Sequence, residues 1–180
     1  MAFAYPVETE EEAKEKIALL KNKFFDARHH CFAYVLGAEK NRTRAFDDGE
    51  PNHSAGDPIL GQIKSKDLTN ILIVVVRYFG GVKLGVGGLM AAYKAAAEDV
   101  LNHAEIVERD VMMEVVIHYA YENTPEVMRL VKDFDLMIIS QKFELLCTIE
   151  VQLKLSLQHS FEEKIAFFKA IKMNIEATIK

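Results

Sequence analysis

A chain of 180 residues has room for one large domain or two small ones, and half of its residues are hydrophobic. Charged residues make up 27%, with only four Pro and nine Gly, which excludes a low-complexity or disordered chain. The formal net charge of −5 argues against a protein that coats nucleic acid without regard to sequence.

The start, Met1-Ala2-Phe3-Ala4-Tyr5-Pro6, has no basic stretch leading into an apolar one, so no signal peptide is expected. A helix is predicted over 8–25. Thr9 is placed to cap it, Glu12 stands at capping-box spacing, and Ala13, Ile17, Leu20 and Phe24 recur on one face. Cys31 to Leu36 reads as a strand closed by Gly37, with 43–46 as its hairpin partner. Asp47 to Asn52 is a loop by its turn chemistry, and Pro58 opens a short helix to about Lys64. The run from Ile71 to Phe79 shows no alternation, which marks a central strand buried on both faces. Its apolar part is strand-sized, far short of the roughly 20 residues of a membrane span. A glycine-rich loop, 80–88, leads into an Ala-rich helix over 89–103.

Composition breaks near 104–110, so the boundary between a first domain (1–107) and a second (108–180) is placed there. The second half reads strand 111–119, helix 125–134, strands 136–143 and 145–155, helix 161–171 and strand 173–179. Thr124 and Pro125 are expected as N-cap and first helical residue. This βαββαβ order is the ferredoxin-like pattern, and the fold class is α+β. The two cysteines, Cys31 and Cys147, lie far apart without metal-ligand spacing. Free thiols without a signal peptide point to the cytoplasm.

Four segments carry the functional signal: 27–34 (Ala-Arg-His-His-Cys-Phe-Ala-Tyr), 46–51 (Phe-Asp-Asp-Gly-Glu-Pro), 54–60 (Ser-Ala-Gly-Asp-Pro-Ile-Leu), and 76–89 continuing to Tyr93. In order and spacing they resemble the signature of the IMPACT/YigZ-like family over about residues 3–107. The resemblance implies a first domain like α/β domains of a ribosomal protein and elongation factor G, and a ferredoxin-like second domain. Eukaryotic members of that family are linked to control of translation. Family members usually carry about twenty residues before the segment matching 3–7, so a missing first strand, and with it an unpaired sheet edge, is expected here.

The candidate site residues are Arg28, His29, His30, Asp47, Asp48, Glu50, Arg77, Gly80, Gly81, Lys83, Gly85, Gly87 and Gly88. Glycines before a helix let the backbone approach an anion, and Lys83 and Arg77 would complete a phosphate site. The equal alternative is a tight strand-to-helix turn. The spacing is neither a Walker A loop nor a dinucleotide fingerprint. Three carboxylates at 47–50 fit Mg²⁺ or a basic partner; more often, Asp47 and Asp48 cap a turn while Glu50 faces water. His29 and His30 fit acid–base work, against the usual arrangement of one packed and one exposed imidazole. Cys31 reads as a core thiol, and Tyr78, Phe79 and Tyr93 as core aromatics before stacking ones. The first reading is therefore a non-enzymatic protein that binds RNA, the ribosome or a translation-related protein. It has no cofactor, no metal and no membrane partner. The alternative is an enzyme that binds a small phosphate-containing ligand.

Overall fold

The computed structural model describes residues 1–81 and 83–180. They form two compact units, 1–106 and 107–180, each built on its own four-stranded antiparallel sheet. The fold class is α+β.

The first unit runs β1 (Ala2–Pro6), α1 (Glu10–Lys23), β2 (His29–Leu36), β3 (Arg42–Phe46), α2 (Gly56–Ser65), β4 (Ile71–Arg77) and α3 (Gly85–Asn102). The sequence dictates the start of α1. Thr9 accepts the Glu12 N–H at 3.2 Å, and the Glu12 carboxylate reaches back to the Glu8 N–H at 2.7 Å. Glutamates fill the first turn and Lys21 and Lys23 the last, matching the helix dipole.

Strand order is β1-β4-β2-β3. Alternate residues of the two central strands enter different cores. Cys31, Ala33, Val35, Ile73 and Val75 meet Ile59 and Ile63 of α2 and Leu89, Tyr93 and Ala97 of α3. Phe32, Tyr34, Leu36, Leu72, Val74 and Val76 meet Ala13 and Leu20 of α1. Both faces of β4 are therefore buried, which is why its sequence does not alternate. Each aliphatic side chain fully buried there contributes about 1.5–3 kcal/mol.

β1 pairs with β4 and forms one edge of the sheet; β3 forms the other. His29 opposes Arg77 and Phe32 opposes Phe46, so β2 begins where β3 and β4 end. That end of the sheet gathers all the sequence motifs.

The second unit runs β5 (Met112–Ala120), α4 (Thr124–Asp133), β6 (Met137–Lys142), β7 (Leu146–Lys154), α5 (Gln158–Ala170) and β8 (Ile175–Ile179). Its order β6-β7-β5-β8 is the ferredoxin-like arrangement. Val115, Ile117 and Tyr119 of β5 and Ile149, Val151 and Leu153 of β7 pack on Val127, Leu130, Phe161 and Phe168 of the helices. A tight turn over 121–123 precedes α4, so Asn123 takes the cap position and Thr124 instead donates its hydroxyl to the Tyr121 carbonyl. Among the described residues no helix is long and apolar enough to cross a membrane.

Candidate functional site

The loop from β3 to α2 is built around two aspartates and a glutamate. Asp47 accepts three backbone N–H groups: Ala55 and Gly56 on one oxygen at 3.0 and 2.8 Å, and His53 on the other at 2.8 Å. Burial pushes its carboxyl up, but these bonds outweigh burial and hold it below the usual carboxylate range. Asp48, with φ of +42°, accepts the His30 N–H at 2.7 Å and lies 3.4 Å from the Lys21 ammonium. Its carbonyl accepts from His29 Nδ1 at 2.9 Å, so in neutral His29 the Nε2 is unprotonated.

Glu50 is buried and does not face water. One of its oxygens accepts both the Arg77 Nε–H and the Tyr93 hydroxyl, the latter at 2.7 Å, and lies 3.9 Å from His29 Nε2. Burial pushes this carboxyl up, but the bonds from Arg77 and Tyr93 prevail and hold it below its ordinary value. Cys31 lies below, with its thiol donating to the Asp47 carbonyl at 2.8 Å and standing 3.3 Å from the Tyr93 hydroxyl. Burial pushes the Cys31 thiol up to about 12 and the Tyr93 hydroxyl far above its usual value. Both residues are held neutral, so the thiol is a core group and no nucleophile. His30 is buried on the α1 side of the sheet, and among the described residues its Nε2 has no partner. Both histidines are thus buried: β3 pairs only from Phe32 onward, and the loop at Asp48 covers His29 and His30 in its place.

The carboxylates of Asp47 and Glu50 are spent on backbone amides, Arg77 and Tyr93. Among the described residues no group of three His, Cys, Asp or Glu is placed to hold a metal ion.

The outer half of the motifs faces solvent. Strand β4 ends at Arg77, two residues earlier than expected, and Tyr78 and Phe79 are 45% and 44% exposed. Tyr78 donates to Asp26 at 2.7 Å, and the Arg28 guanidinium lies 5.9 Å from the centre of the Phe79 ring. Gly80, Gly81 and Lys83 are exposed. Helix α3 starts at Gly85, not Leu89, so Gly85, Gly87 and Gly88 form its first turn. Gly81 and Gly85 have φ of +87° and +72°, which favours glycine. Gly80 and Gly87 have no such φ, and among the described residues a Cβ there would meet nothing within 4 Å. Gly88 packs against Leu84, where a Cβ would come within 3.1 Å of its Cβ.

The structure thus divides the candidate residues into two groups. His29, His30, Asp47, Asp48, Glu50 and Arg77 form an inner network; Arg28, Lys83 and the glycines form an outer surface. Tyr93, the hub of the inner network, is absent from the candidates. Its signal is a phenol on the apolar stripe Leu89-Tyr93-Ala97, which must find a hydrogen-bond acceptor when buried.

Residues 1–101 match the family model of the Impact N-terminal domain. The chain belongs to the IMPACT family. A Bacillus subtilis (strain 168) relative, "IMPACT family member YvyE", is 46% identical over 106 residues, 59% of this chain and 49% of that protein. The chain therefore spans about half the length of this relative. "IMPACT family member YigZ" of Escherichia coli (strain K12) is 32% identical over 160 residues, covering 88% of this chain and 78% of the relative. A crystal structure described as that of a hypothetical protein superimposes with a TM-score of 0.69 at 29% identity, over 98% of this chain and 85% of that one. The four motifs of the IMPACT family chain all fall within the matched N-terminal region.

Proposed function

We infer that this chain is a binding protein connected with translation and its regulation, not an enzyme, and that it works in the cytoplasm. RNA, free or within the ribosome, is the partner its motif surface fits; a translation factor would be the protein partner. The observation that carries this reading is how the motif charges divide. Asp47, Asp48 and Glu50 are turned into bonds within the fold and the exposed Asp57 is paired with His53, while Arg28, Lys83, Tyr78, Phe79 and the glycine backbone face solvent. Cations attract phosphates, and half-exposed aromatic rings offer platforms for bases. Glycines that the free fold does not demand, Gly80 and Gly87, leave room for close approach of a partner to the backbone.

Fluorescence anisotropy with a labelled single-stranded RNA, repeated over a salt series, tests this reading. Binding should weaken with salt, and Arg28→Ala with Lys83→Ala should flatten the log–log slope by about 0.7 for each phosphate no longer neutralised. Absence of binding to RNA and ribosomes at low salt would sink it.

A second reading, a small-molecule enzyme with an anion site at the glycine segment, has one observation in its favour. The first turn of α3 has no capping side chain and no acidic residue. A phosphate compound at about 100 times its dissociation constant would stabilise the fold by roughly 2.7 kcal/mol. Such a shift, abolished by Lys83→Ala, would favour this reading over the first.

A further inference from the structure

Beyond the glycine surface, the edge strand β3 carries a second feature, of which only Phe46 lies in a family motif. Its residues Arg42, Arg44 and Phe46 oppose Leu36, Tyr34 and Phe32 of β2, so all three project from the α1-side face of the sheet. All three are exposed. The Arg44 guanidinium lies 6.0 Å from the centre of the Phe32 ring, and the Phe46 ring lies 5.3 Å from it. Neither arginine has a carboxylate partner among the described residues, whereas nearby Lys40 is paired with Asp67 at 2.5 Å. Two like charges two residues apart on one face of a strand repel each other unless an anion lies between them.

The strand end is also held rigid. Gly56 at the start of α2 sits so close to β3 that a Cβ there would fall 2.5 Å from the Phe46 backbone nitrogen. The Phe46 backbone is thus fixed in place before any partner arrives, which lowers the ordering cost of binding.

We propose that the face of β3 formed by Arg42, Arg44 and Phe46 binds single-stranded RNA, with the arginines on successive phosphates and a base stacked on Phe46. The exposed Phe46 ring favours a single strand, whose unstacked bases are free to lie on it, over a duplex, whose bases are stacked inside. The proposal rests on the RNA-binding reading above and adds a second binding face at the opposite edge of the same motif cluster.

The test is anisotropy of the full chain with a labelled uridine 12-mer across a salt series. Three variants are compared with the wild type: Arg42→Ala with Arg44→Ala, Arg42→Lys with Arg44→Lys, and Phe46→Leu. Circular dichroism confirms that each is folded. The alanine pair should flatten the salt slope by about 1.4, and the lysine pair should largely restore it. Phe46→Leu should weaken binding about tenfold with the slope unchanged. If the wild type binds and Arg28→Ala with Lys83→Ala weakens it, but the β3 alanine pair binds like wild type, this proposal alone is overturned. If the wild type does not bind at low salt, the broader reading fails and this one with it.

Discussion

Glu50 is the residue on which the inner network turns. Its carboxylate is almost fully enclosed, yet it is charged, because Arg77 and Tyr93 both donate to one oxygen. Removing the glutamate would leave a mostly buried guanidinium and a buried hydroxyl without their acceptor. Breaking one partner of a buried pair costs about 3–5 kcal/mol, and the low end applies here because Arg77 keeps some access to water. Glu50→Ala should therefore lower stability by about 3 kcal/mol, and Tyr93→Phe by about 1.5 kcal/mol, the worth of one hydrogen bond to a charged group. The double variant should lose less than the two effects added, since both act on one oxygen. Urea titrations of the four proteins check this, and full additivity would mean that the two bonds are independent. Cys31, with its thiol pushed up to about 12, should stay unreactive to thiol reagents at neutral pH in every variant that remains folded.

Two glycines at comparable places in helices make opposite demands. Gly56 begins α2 directly against β3, where a Cβ would meet the Phe46 nitrogen at 2.5 Å and the Ala45 Cβ at 3.1 Å. Gly56→Ala must push the helix off the sheet and should cost about 1–3 kcal/mol, as overpacking does. Gly87 lies in the first turn of α3 with open space around it. Gly87→Ala should raise stability, by up to about 0.5–1 kcal/mol, because alanine is the better helix former. The same change should weaken RNA binding. A variant both firmer and weaker-binding would locate the reason for that glycine in the partner and not in the fold; unchanged binding would assign it to neither.

Most elements are legible in the sequence at this scale. The Thr9 cap, the unalternating β4 and the βαββαβ order of the second half each carry local chemistry that fixes the outcome. Two features are not. The glycines at 85–88 suggest a loop where the helix has already begun, because propensity is a weak guide at an exposed helix start. Turn chemistry alone puts Glu50 in water and one histidine at the surface, because it does not reveal that Arg77, 27 residues on from Glu50, arrives opposite His29. Partners brought together by strand register are not encoded in any one segment.

At the scale of the whole chain, the titrating groups are unevenly placed. The first unit holds Asp47 and Glu50, both partly or wholly enclosed and both held below their ordinary values by specific bonds. The carboxyl lowered in the second unit, Glu150, is held down by surface contacts to Lys180 and Ser140, where water and salt screen the effect. A carboxyl depressed in the folded state binds its proton only at lower pH than in the unfolded chain. The unfolded state therefore takes up more protons through the acid range, and the stability this provides is present at neutral pH and lost as pH falls. The first unit should accordingly lose more stability than the second as pH falls below about 5. Thermal unfolding of the full chain, followed by NMR through methyl signals of Ile73 and Val75 in one core and Ile117 and Ile149 in the other, reads the two separately. The Ile73 and Val75 signals should show the larger fall in melting temperature on acidification, and Glu50→Gln should reduce that excess while leaving Ile117 and Ile149 unmoved. Equal shifts in both cores would mean that the enclosed carboxylates do not govern the acid response, and that general charge repulsion does.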